Sequence, residues 1–67
     1  MDLHSCIIVL RNQEVITSNS VEDSLVIIES QGDNGISTIQ INARDGNAIH
    51  TYHCANIEDS LENLMNL

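Results

Sequence analysis

Two cysteines and three histidines are the side chains of this chain best suited to holding a transition metal. These residues are His4, Cys6, His50, His53 and Cys54. Two thiolates and two imidazoles would make the tetrahedral site that zinc uses, if the first and last strands of a sheet lay side by side. Neither cysteine belongs to a C-x2-C knuckle, so the sequence favours two reduced core thiols and half-buried histidines. We predict no metal and no cofactor.

No motif in the sequence would organise a catalytic nucleophile. His53 and Cys54 are adjacent, so an extended strand would point them to opposite faces of a sheet. Neither a G-x-S-x-G elbow nor a glycine-rich phosphate loop is present. A chain of 67 residues also has little room for the closed pocket of about 300 Å³ or more that substrates prefer. We therefore predict no catalytic residues and no enzymatic activity.

The strongest chemical feature is an excess of carboxylates. Ten acidic residues are opposed by Arg11 and Arg44 alone, lysine is missing, and the formal net charge is −8. Such a surface would attract a basic partner and repel nucleic acid and anionic membrane. Charge can also serve solubility, but solubility normally uses interspersed lysines. The acidic side chains that we expect to contact a partner are Glu22, Asp23, Asp33, Asp45, Glu58, Asp59 and Glu62.

The elements that must position these residues are predicted to be mostly strands. The apolar residues are mainly Ile, Val and Leu, and Tyr52 is the only aromatic residue, a composition that suits a pleated sheet. Turn-forming clusters divide the chain into strands at about 5–10, 14–18, 25–30, 36–43 and 48–54 and a helix at about 57–66. We find no repeat or linker. The prediction is one compact α+β domain over 1–67, an antiparallel β-meander of four or five short strands with one C-terminal α-helix packed on the sheet.

The C-terminal helix has a clear start signal. Asn56 is a good N-cap, and the carboxylates of Glu58, Asp59 and Glu62 follow it in the first turns, where the helix dipole favours negative charge. Its predicted apolar stripe consists of Ile57, Leu61, Leu64 and Met65. So short a helix needs the sheet to dock on.

The last hairpin has two possible registers around Asp45-Gly46. A two-residue turn would set Ile41 opposite His50 and Ile39 opposite Tyr52, burying Tyr52 and Cys54. A three-residue loop with a bulge would set Ile41 opposite Ile49 and Ile39 opposite Thr51, burying Ile49. We favour the first register because it places the only aromatic ring in the core.

Two continuous apolar runs, Cys6 to Leu10 and Leu25 to Ile28, predict self-association. Strands covered on both faces give such runs, and one short helix covers only one face. A second copy of the chain is the simplest element that could cover the other face of the sheet, so the pattern predicts a homodimer. A small closed barrel is the alternative.

Size and charge together suggest a small acidic inhibitor that occupies the basic nucleic-acid-binding surface of another protein. In these two properties the chain is similar to phage-encoded counter-defence proteins of the anti-CRISPR and anti-restriction types, although no motif matches one family. The alternative is a homo-oligomeric module that acts through an apolar sheet face with Ile7, Val9, Val26 and Ile28. A third possibility is a metal- or redox-responsive module using Cys6 and Cys54.

The expected location is the cytoplasm, that of a host cell if the gene belongs to a phage. The start of the sequence lacks the basic segment and apolar stretch of a signal peptide. A disulfide between the two distant cysteines would close a long loop, but in the reducing cytoplasm we expect both to stay reduced.

Overall fold

A computed structural model describes residues 2–32, 34–54 and 56–67, which form four strands and two helices. The strands are β1 (Asp2–Leu10), β2 (Val15–Ser18), β3 (Ile36–Asp45) and β4 (Ala48–Cys54). The helices are α1 (Val21–Gln31) and α2 (Ile57–Met65). The predicted α+β class, with an antiparallel sheet and a C-terminal helix packed on it, is confirmed.

The sheet has the strand order β2-β1-β3-β4, and every neighbouring pair is antiparallel. Because α1 connects the edge strand β2 to β3, which pairs with β1, the sheet is not the simple meander that we predicted. Helix α1 packs on β1 and β2, helix α2 packs on β3 and β4, and the two helices contact each other. The helices therefore form one layer on one face of the sheet.

The core lies between the sheet and this helix layer. Its buried apolar residues come from β1, β3 and β4 and from one position on each helix, Ile28 and Leu64. The buried strand residues of this cluster are Cys6, Ile8, Leu10, Ile36, Ile39, Ile41 and Cys54. On β1 the alternate residues Ile7 and Val9 are only half-buried. The apolar run of β1 therefore serves two faces, of which the helices cover one.

Segment 25–30, predicted as a strand, is helical, and that prediction is wrong. Ser20 caps α1 by accepting a hydrogen bond from the Asp23 backbone N–H at 3.3 Å. A run of four apolar residues fits either a strand or a helix, and the capping residue decides between them. The run is one-sided in the helix, since Val26 is 65% exposed and Ile28 is fully buried.

The chain is built from two similar ββα units, a repeat that the sequence analysis missed. Around the central pair Ile7–Gln40, Cys6 pairs with Ile41 and Ile8 pairs with Ile39. These pairs exchange if the first hairpin is rotated onto the second, so a pseudo-two-fold axis passes through the middle of the sheet. The sequence VEDSL at the start of α1 returns as IEDSL at the start of α2.

The β3–β4 hairpin has the predicted faces but different partners. Ile41 pairs with Tyr52 and Ile39 pairs with Cys54, so the predicted pairs Ile41–His50 and Ile39–Tyr52 are wrong. The turn residues are Gly46 and Asn47, and Gly46 has a φ of 62°, which suits a II′ turn with glycine at its first central position. A shift of two residues preserves the faces.

Helix α2 has the predicted cap but a narrower apolar stripe. Asn56 accepts a hydrogen bond from the Asp59 backbone N–H at 2.8 Å. Leu64 is buried and Leu61 is half-buried, whereas Met65 is 76% exposed. The prediction that Met65 belongs to the core is therefore wrong, since the last turn points it away from the sheet.

Candidate functional site

The first turns of α1 and α2 have nearly the same structure. In each helix a capping side chain accepts a hydrogen bond from the backbone N–H three residues later, Ser20 from Asp23 and Asn56 from Asp59. A carboxylate precedes the aspartate in both helices, at Glu22 and Glu58. Negative charge at this position favours the helix, because the helix dipole is positive at its N-terminus. The two acidic helix starts are thus products of the same local chemistry.

A buried serine anchors each acidic helix start. The Ser24 hydroxyl donates to the Ser20 carbonyl oxygen at 2.7 Å, and the Ser60 hydroxyl donates to the Asn56 carbonyl oxygen at 2.9 Å. Both serines are fully buried. Because a buried hydroxyl needs a hydrogen-bond partner, these bonds let a small polar residue face the core. The two carboxylates that precede each serine are exposed.

Most of the predicted contact residues lie on the helix layer. Glu22, Asp23, Glu58 and Asp59 are exposed in the two helix starts, and Glu62 is exposed farther along α2. We name these five residues, together with exposed Glu29 of α1, the acidic helix surface. The sequence analysis missed Glu29 because it predicted a strand there.

Two predicted contact residues do not belong to this surface. Asp45 ends β3 beside the hairpin turn, and its carboxylate lies 3.9 Å from the His50 ring. Asp33 lies outside the described residues. The structure therefore places five of the seven predicted carboxylates on the two helices.

The opposite face of the sheet carries polar and apolar groups without carboxylates in its middle. An amide at its centre, that of Asn42, donates to the Ser5 hydroxyl at 2.9 Å and accepts from Thr51 at 2.9 Å and Gln40 at 3.2 Å. Beside this network lie side chains that the strand registers place on the same face: Ile7, Val9, Val15, Thr17, Thr38, Ile49 and His53. We name this surface the open sheet face. The helices thus carry six of the ten carboxylates, and among the described residues the open sheet face carries charge only toward one end, where Asp2 pairs with Arg44.

The two cysteines are buried free thiols on strands that do not pair with each other. Cys6 pairs with Ile41 and Cys54 pairs with Ile39, so β3 separates them. Two strand spacings are about 9.5 Å, beyond the roughly 7 Å between Cα atoms that a disulfide allows. Burial raises the pKa of the Cys6 thiol, a hydrogen bond with Ser24 lowers it, and nearby Cys54 raises it. The raised pKa of Cys6 describes an unreactive core thiol rather than a nucleophile.

The histidines do not join the cysteines. His50 lies beside Asp45, His53 is on the open sheet face, and His4 lies at an irregularity of β1. Within 2–32, 34–54 and 56–67, no group of three or more His, Cys, Asp or Glu side chains could hold a metal ion.

Two clefts of about 440 and 450 Å³ open from the surface. The first combines Arg11 with Cys54, Asn56 and Glu58 at the start of α2. The second lies between β2 and α1 and includes Asp23. Both clefts have larger volumes than we expected for a chain of this length, but both are open to solvent. Neither contains a base hydrogen-bonded to a nucleophile among the described residues.

Comparison with known proteins gives no relative for this chain: no family model, no curated protein and no solved structure matches it. Among the described residues, no helix is long and apolar enough to cross a membrane.

Proposed function

We propose that this chain is a small acidic, non-enzymatic inhibitor that occupies the basic nucleic-acid-binding surface of a target protein. In this proposal it acts in the cytoplasm as a counter-defence factor of the anti-CRISPR or anti-restriction type, encoded by a phage or another mobile element. Its contact surface is the acidic helix surface. It binds no nucleic acid directly and needs no cofactor.

One observation carries the proposal: the repeated helix start presents a Glu–Asp pair twice on the same layer. Glu22 and Asp23 on α1 are matched by Glu58 and Asp59 on α2, and all four side chains are exposed. No lysine accompanies them. An array of fixed negative charges on a rigid layer imitates the phosphates that a basic groove recognises, and it accelerates encounter with such a groove.

The salt dependence of partner capture tests this proposal. The tagged chain is incubated with bacterial lysate at about 50 mM salt and washed at about 500 mM, where the Debye length falls from about 14 Å to about 4 Å. We expect a basic nucleic-acid-binding protein to elute at high salt. Because this chain and nucleic acid would compete for the same groove, a DNA or RNA duplex should also release the captured protein from the chain.

Neutralising variants locate the contact on the chain. Glu58→Gln with Asp59→Asn removes two charges from the acidic helix surface, and the expected result is at least tenfold weaker capture. The control, Asp2→Asn with Glu14→Gln, removes two charges from outside that surface. Both variants change the net charge from −8 to −6, so a difference between them reports position rather than total charge. Equal capture by both would overturn the assignment of the helix layer.

The open sheet face supports a second candidate function, a homo-oligomeric structural or accessory module. Ile7 and Val9 are half-buried there, no helix of the described ranges covers this face, and Val15 is 60% exposed. Two residues that we predicted for this face do not belong to it, because Val26 is exposed on α1 and Ile28 is buried in the core. Capture that survives high salt and is lost in Val15→Asp would favour this candidate.

A further inference from the structure

The two edges of the sheet differ in length and in chemistry. Edge strand β2 has four residues and follows Glu14 directly, whereas edge strand β4 has seven residues, Ala48 to Cys54. Proteins usually protect a long edge with lysine, proline, a bulge or an inward-pointing charge. Strand β4 contains no Asp, Glu, Lys, Arg or Pro, and its register with β3 is continuous. Strand β4 is therefore an unprotected edge.

The register identifies the backbone groups that are free along this edge. Asp45 and Ala48 flank a two-residue turn, so they form a hydrogen-bonded pair. Hydrogen-bonded and non-hydrogen-bonded pairs then alternate along the hairpin. The N–H and C=O groups that point away from β3 belong to the non-hydrogen-bonded positions, Ile49, Thr51 and His53.

We propose that two copies of this chain pair through β4 in antiparallel orientation, with the two-fold axis at Thr51. This register sets Thr51 opposite the same residue of the second copy and Ile49 opposite His53. All three outward-facing positions then find hydrogen-bonding partners at once. The result is one continuous sheet of eight strands with both helix layers on the same side.

Symmetry identifies a second copy as the occupant of this edge, because the outward-facing positions Ile49, Thr51 and His53 are evenly spaced about Thr51. A copy of β4 brings no carboxylate against another carboxylate, although each chain carries −8. Pairing β4 with β2 would leave three residues of β4 unmatched and would create an open-ended contact, whereas β4 with β4 closes as a two-fold dimer.

The two proposals predict opposite responses to salt. Two bodies of charge −8 repel each other, so screening should strengthen the dimer. Binding to a basic target should weaken under the same conditions. The dimer forms through the backbone of β4 and does not depend on the proposed function. Either proposal can therefore fail without the other.

Sedimentation equilibrium on the full chain tests the dimer, with Thr51→Pro as the decisive variant. Proline removes an N–H that points away from β3, so the hairpin keeps its own hydrogen bonds. We expect the wild-type dimer to tighten several-fold between about 50 and 500 mM salt, and Thr51→Pro to weaken it at least tenfold. Thr17→Pro makes the equivalent change on the β2 edge and should dimerise like the wild type. Thr51→Val, which loses only the hydroxyl bonded to Asn42, should also dimerise like the wild type.

Disulfide trapping covers the case in which Thr51→Pro does not fold. Thr51→Cys lies on the proposed axis and should give a covalent dimer under mild oxidation, since facing residues of paired strands lie within disulfide reach. Thr17→Cys is the matched control and should remain monomeric. Native Cys6 and Cys54 are buried and should not react. A wild-type chain that stays monomeric at both salt concentrations, or equal cross-linking of the two variants, would overturn the proposal.

Discussion

Cys6 is a titratable side chain that the core uses for packing rather than for catalysis or metal binding. The thiol lies in the core beside Ser24, and its burial raises its pKa above the ordinary value of 9.0. A neutral thiol behaves as a small apolar side chain with a weak hydrogen-bond donor. The residue that could have been a metal ligand is therefore a packing residue.

This environment predicts an alkaline loss of stability. The unfolded chain releases the Cys6 proton near pH 9.0, whereas the folded chain holds it to a higher pH. The resulting contribution to the unfolding free energy is complete below about pH 9 and is lost as pH rises through the folded pKa. Urea unfolding between about pH 7 and pH 10.5 should show this decline.

Cys6→Ala is the matched control for this decline. It should be less stable at neutral pH by about 1–3 kcal/mol, because it leaves a small void in the core. Its stability should nevertheless fall less steeply above pH 9 than that of the wild type. Parallel curves for the two proteins would show that the Cys6 thiol is not the group that titrates.

At the scale of elements, the two helix starts should contribute equally to stability. Ser20→Ala and Asn56→Ala each remove a capping oxygen of similar geometry, and each should lower the unfolding free energy by about 1 kcal/mol. Chemical denaturation measures both. Asn19→Ala, one residue before the first cap, is the control and should change stability by less than about 0.5 kcal/mol. A Ser20→Ala effect no larger than this control would contradict the role of the cap.

The elements also show which parts of the fold could be predicted from sequence. Strand β3 alternates cleanly, and α2 begins with an unambiguous cap, so both were predicted near their observed positions. The strand prediction for segment 25–30 failed because its four consecutive apolar residues are as compatible with a buried strand as with a helix. The start of α1 had the same Ser/Asn-x-Glu-Asp pattern as the start of α2. Comparing the two segments would have revealed both the helix and the repeat.

The sequence names carboxylates for the candidate site but does not predict how they are arranged. The carboxylates of both helix starts were identified from charge alone, yet the sequence analysis placed Glu22 and Asp23 in a loop. Their relation to Glu58 and Asp59 depends on the strand order β2-β1-β3-β4. That order results from tertiary pairing of β1 with β3, which local patterns do not encode.

At the scale of the whole molecule, folding concentrates charge as well as burying apolar surface. Six of the carboxylates lie on the two helices, and the middle of the open sheet face has none. In water, two unit charges about 12 Å apart repel by roughly 0.35 kcal/mol. Many such pairs accumulate when the helices pack side by side, so the folded state is destabilised by its own surface. Burial of the apolar core and the hydrogen bonds of the two buried serines offset this repulsion.

Screening should therefore stabilise the monomer. At protein concentrations too low for self-association, the unfolding free energy should rise from about 10 mM to about 500 mM NaCl, because the Debye length shrinks from about 30 Å to about 4 Å. The variant Glu14→Gln with Glu29→Gln should show a shallower rise, since it removes two exposed carboxylates outside the helix caps. The neutral control, Asn19→Gln with Gln31→Asn, should match the wild-type slope. If the three proteins showed the same dependence of unfolding free energy on salt, salt would be acting through general solvent effects. Repulsion among the carboxylates would then not be what destabilises a fold of net charge −8.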